Sequence, residues 1–102
     1  MPRTVDLVVV GNSASGMSAG IAAAQRGARV LIVLEHRDRS WIERLRRSIR
    51  ASGVTQRITV MTGSELVCVD GIGGIEAIVV RRINSGRLTG INAQALLIET
   101  RE

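Results

Sequence analysis

The 102-residue sequence contains no phenylalanine, no tyrosine and no lysine, and only one residue each of tryptophan, histidine, cysteine and proline. With Trp41 as the sole aromatic platform, single-stranded nucleic acid cannot be held by stacking successive bases. One cysteine excludes an intrachain disulfide and a Cys-x-x-Cys redox pair. Cys68 lies inside an apolar run and reads as a buried thiol acting as a small hydrophobe. One histidine and one cysteine do not make a zinc set, so no metal ligands are assigned. No apolar run approaches the roughly 20 residues needed to cross a bilayer, so no membrane partner is expected. The opening residues lack the pattern of a secretory signal, and cytoplasm is the expected location.

All 14 basic residues are arginine, against nine acidic ones, giving a net charge of +5. Such a balance favours phosphates or an acidic partner surface. A core made of Ile, Val, Leu and Ala suits a parallel sheet buried on both faces. The length fits one domain, residues 1–102. The β-branched run 5–10 predicts a central strand, 13–26 a helix stopped by Gly27, and 30–34 a second strand. Ser40 and Glu43 have capping-box spacing at the start of a second helix, whose apolar stripe is Trp41 or Ile42, Leu45 and Ile49. Strands are predicted at 57–62, 65–70 and 75–83, a short one at 87–92, and a separate closing strand at 93–99. The expected fold is therefore α/β, a Rossmann-like three-layer domain: a βαβαβ start with a parallel sheet, an antiparallel β-meander laid on one face, and a return strand.

The chemistry sits in the first turn. Between strand and helix run Gly11, Asn12, Ser13, Ala14, Ser15 and Gly16. A dinucleotide site needs a glycine for the sharp turn, one for backbone approach to the pyrophosphate and one for helix–strand packing. Gly11 fills the first role and Gly16 the third. The second falls on Ser13, whose Cβ crowds a phosphate or forbids a positive φ, or whose hydroxyl donates to a phosphate oxygen; the residues leave these open. No carboxylate occurs between Leu7 and Leu34, so the field favours an anion. Gly20, in mid-helix, costs about 1 kcal/mol relative to alanine, a cost that close helix–sheet approach would explain.

The exit of the second strand decides the ribose. An acid there accepts from a 2′-hydroxyl, as for NAD or FAD, whereas arginine accommodates a 2′-phosphate. Glu35, His36, Arg37, Asp38 and Arg39 present both chemistries side by side. No nucleophile or carboxylate pair accompanies His36, and no catalytic residue is assigned.

These segments, in their order, resemble the NAD(P)H-binding domain of thioredoxin-reductase-like flavoproteins, which carry two dinucleotide-binding domains. The likeness rests on the glycine loop, the run 36–39, the amphipathic helix 41–50, the strand region 58–70, the strand 75–80, the turn 84–86 and the last strand 93–98. It departs from the family at Ser13, where a glycine is usual, in a second strand one residue longer, and in an ending of Thr100, Arg101 and Glu102 rather than glycine. The segments 16–20 and 95–100 also resemble the FAD-binding domain of the same superfamily, which stays open as an alternative. The resemblance implies NADP or NAD as ligand, with FAD as alternative, bound at the 11–16 loop and by Glu35, His36, Arg37 and Arg39. With no second dinucleotide domain and no redox cysteine pair, the chain alone does not complete the family's electron transfer. The expectation is a dinucleotide-binding module that meets a flavoprotein domain or subunit. A homodimer through an unpaired sheet edge and a nucleotide-free interaction subunit are further expectations; nucleic acid is not expected as a partner.

Overall fold

The computed structural model describes residues 3–11, 13–35 and 39–98. Its elements are β1 (Arg3–Val10), α1 (Ala14–Gln25), β2 (Val30–Val33), α2 (Arg39–Ala51), β3 (Ile58–Met61), β4 (Ser64–Ile72), β5 (Ile75–Arg82) and β6 (Leu88–Ile98). One six-stranded sheet runs β3-β2-β1-β6-β5-β4. Its first four strands are parallel, and β6-β5-β4 form an antiparallel meander. Val10 lies opposite both Val33 and Ile98, and Val33 opposite Met61, so the parallel strands end level along one carboxyl edge.

Strand alternation splits the β-branched runs between two cores. Val9, Val30, Ile32 and Leu34 face the helices and pack with Met17, Ala24, Leu45 and Ile49. Val8, Val10, Leu31 and Val33 face the other way and pack with Ile78, Val80, Ile91 and Ala93. The meander thus curls over the parallel sheet as its third layer. A backbone bond fastens its first strand to the exit of β2: Ser64 N donates to Leu34 O at 3.0 Å. The expected α/β, three-layer, Rossmann-like architecture is present.

Four details differ from the sequence reading. The two closing strands are one, β6, because a single bent strand serves two partners: residues 88–93 pair with β5 and 91–98 with β1. Arg39 is already helical, so Ser40 lies inside the first turn of α2 and is not its N-cap. Cys68 is exposed rather than buried. It lies across from Val79 on the sheet edge, just after a bulge, and its neighbours Val67 and Val69 are exposed with it. Gly20 does approach the sheet, yet an added Cβ would meet Val30 and Val9 at 3.5 Å, an ordinary contact. Close approach therefore does not demand glycine there.

Candidate dinucleotide site

The 11–16 loop leaves β1 at the carboxyl edge. Gly11 has φ +129°, a conformation L side chains rarely adopt, and its N–H donates to Val33 O at 3.2 Å. The turn at this position therefore calls for glycine. Asn12 lies outside the described residues. Ser13 has φ −85° and ψ 150°, so the position asks for no positive φ and serine sits there without strain. It is the N-cap of α1: its Oγ accepts from Gly16 N at 3.1 Å, while its carbonyl accepts the first helical bond, from Met17 N, at 3.2 Å. Ser13 Oγ also shares a hydrogen bond with Ser15 Oγ, 3.2 Å away. Gly16 is buried and the side chains of Ala14 and Ser15 are exposed.

Two consequences follow. The first-turn amides and the positive end of the α1 dipole face the carboxyl edge. One of those amides, Gly16 N, already donates to Ser13 Oγ. The loop also leaves β1 where the strand order reverses: β2 and β3 lie on one side of β1, and β6 on the other. Open α/β sheets bind their ligands at such switch points, outside the carboxyl ends.

Glu35 follows the buried Leu34 one residue beyond β2 and is exposed. Arg39, exposed, begins α2. Glu35 thus lies in the connection that leaves the carboxyl end of β2, and Arg39 at the helix start that follows it. His36 and Arg37, with Asp38 between the strand and Arg39, lie outside the described residues. Asp6, the carboxylate within β1, is occupied toward the amino edge, where its Oδ2 accepts from Arg29 N at 2.8 Å.

Sequence reasoning missed a second feature of this edge. A cleft of ≈ 240 Å³ is lined by Thr62, Gly63, Arg82 and Asn84. It adjoins the β2 exit, since Leu34 N donates to Met61 O at 2.8 Å and Leu34 O accepts from Ser64 N. Arg82 reaches it from the end of β5, a placement that exists only because the meander folds back. No local pattern around residue 82 signals it. A larger cleft, ≈ 650 Å³, is lined by Arg29, Gly53, Val54, Thr55, Gln56 and Arg57, but it lies at the amino ends of β2 and β3, the edge away from the helix amides. Among the described residues, no three His, Cys, Asp or Glu side chains gather as a metal site. No described helix is long and apolar enough to cross a membrane.

No protein-family model and no curated protein sequence matches the chain. Solved structures do. L-proline dehydrogenase from P. horikoshii superposes with a TM-score of 0.73 at 17% identity, covering 97% of this chain and 23% of that one. Thioredoxin reductase from Streptococcus pyogenes MGAS5005 gives 0.73 at 18% identity, covering 98% and 32%. The flavin-dependent monooxygenase PieE, solved with FAD and substrate, gives 0.73 at 12% identity, covering 94% and 30%. The chain spans about a quarter to a third of these proteins. At such identities the likeness speaks for architecture: the chain has the Rossmann-like fold of a domain found in these oxidoreductases.

Proposed function

We propose that the chain is a dinucleotide-binding module of the kind used by FAD-dependent pyridine-nucleotide oxidoreductases, with the pyrophosphate of NAD(P)H on the 11–16 loop. The observation that carries this reading is the loop itself: Gly11 at φ +129° turns the chain into the amino end of α1 at the point where the strand order reverses. Backbone amides and the hydroxyls of Ser13 and Ser15 hold the phosphates, and no carboxylate between Leu7 and Leu34 opposes them. Glu35 accepts from a ribose hydroxyl, while Arg37, Arg39 and, from the meander, Arg82 supply positive charge toward a 2′-phosphate. When bound, the nicotinamide supplies hydride chemistry; the chain binds and orients it, and another domain or subunit provides the acceptor. FAD on the same loop is the second reading, favoured by the exposed Glu35 at the strand exit, which suits a ribose that carries no phosphate.

Calorimetric titration with NADPH, NADH, FAD and ADP tests the reading and ranks the ligands. Ser13→Gly releases Gly16 N and tightens binding. Gly11→Val abolishes it and strains the turn. Affinity unchanged by both substitutions, or no heat with any ligand, would overturn the assignment. Glu35→Ala weakening NADH or FAD more than NADPH, with Arg37→Ala doing the reverse, supports the ribose roles. Equal losses would remove those roles.

A further inference from the structure

Away from the glycine loop, the helical layer has an unfilled notch. Between α1 and α2 runs a cleft of ≈ 230 Å³ floored by Met17, Ile21, Trp41 and Leu45, with Ser18 and Arg44 on its rims. Its volume falls below the roughly 300 Å³ at which small-molecule and cofactor pockets begin, and suits inserted side chains better. The floor is two rows at i, i+4 spacing, one on each helix, so it runs along the helix axes. A groove of that form accepts the ridge of a third helix.

The two walls differ in charge. α1 carries no charged residue from Ala14 to Gln25. α2 carries Arg39, Arg44, Arg46, Arg47 and Arg50 against a single acid, Glu43. Helical spacing puts Arg44 and Arg47 on the flank beside the groove, and Arg46 and Arg50 on the opposite flank. All four are exposed, and among the described residues the only ion pair is the distant Arg81–Glu65. The groove thus joins an apolar floor to a cationic rim that meets no described carboxylate.

We propose that this groove docks an acidic amphipathic helix of a partner protein. Its apolar side chains enter between Met17, Ile21, Trp41 and Leu45, and its carboxylates meet Arg44 and Arg47 in charge-assisted hydrogen bonds. The arginine forks favour such planar, bidentate pairing.

Trp41 makes the test direct. It is the only tryptophan in a chain without tyrosine, so protein emission reports this groove alone. The probe is a synthetic helix-forming peptide with leucines at i, i+3, i+4 and i+7 and glutamates elsewhere. Titrated into the chain, it produces a saturable shift of Trp41 emission to shorter wavelength. Arg44→Glu weakens this binding about tenfold or more, Arg47→Glu confirms it from the neighbouring position, and Arg46→Glu on the far flank costs much less. Far-UV circular dichroism checks that each exposed-site variant keeps its fold. Emission that does not move overturns the proposal. Equal losses for Arg44→Glu and Arg46→Glu also overturn it, leaving only diffuse charge attraction. A duplex DNA probe that shifts Trp41 as strongly as the peptide reassigns the surface to nucleic acid.

Discussion

The two faces of the parallel sheet are sealed in different ways. On one, helices that follow directly in the chain fold back over Val9, Val30, Ile32 and Leu34. On the other, a meander brought from far along the chain covers Val8, Val10, Leu31 and Val33. The first seal is local, carries the phosphate loop and uses small side chains to bring α1 close. The second ends in β4, an edge strand whose Val67, Cys68 and Val69 remain exposed. The loop's backbone geometry therefore rests on the local seal, while the cleft at Arg82 depends on the distant one. A smaller cluster of buried residues and an open edge predict that the meander opens first.

The largest effects test that asymmetry. Ile32 and Ile78 are both essentially fully buried, one on each face. Cutting either back to alanine destabilises by about 2–5 kcal/mol, read in denaturant or thermal melts. Amide exchange separates them: Ile32→Ala raises exchange throughout, whereas Ile78→Ala releases β4 and β5 while β1 and β2 stay protected. Identical exchange maps would break the comparison.

Smaller effects follow at the helix end. Ser13→Ala removes the cap on Gly16 N and costs about 1 kcal/mol, visible as a lower melting temperature. Ser13→Gly costs only a few tenths of that while tightening nucleotide binding, which separates the cap's structural role from its competition with phosphate. Gly20→Ala stabilises by about 0.5–1 kcal/mol, because the new methyl finds ordinary contacts with Val30 and Val9. Destabilisation there would mean that α1 sits closer to the sheet than described.

The smallest effect belongs to the meander's surface. Arg81 and Glu65 form an ion pair across β4 and β5, with side chains 46% and 30% exposed. Solvent screening limits Arg81→Met to about 0–1 kcal/mol, less at high salt. A larger loss would show the pair holding the edge strand in place.

The sequence makes the local half legible and the distant half only in outline. Runs of Val and Ile bounded by glycine announce β1, α1 and β2, because each is set by neighbours within a few residues. Gly11's role is equally local, since the turn itself demands a positive φ. Strand β6 is different. Its turn-like start and apolar end look like two strands, and only the presence of β5 on one side and β1 on the other makes them one. Cys68 was misread for a related reason: an apolar run on an edge strand, shifted by a bulge, need not point inward. The sequence shows Ser13 only as a serine where a glycine is usual; its role as the cap of α1 appears only once Oγ is seen on Gly16 N.

The double pairing of β6 has a kinetic meaning. Ile91, Asn92 and Ala93 are bonded on both sides at once, to β5 and to the first residues of β1. Arg3 and Ile91, partners in space, lie 88 positions apart in the sequence (91 − 3). A valine-rich central strand must therefore wait, one edge bare, until that later-made segment arrives, and during synthesis it remains a target for chaperones or for a neighbouring nascent chain.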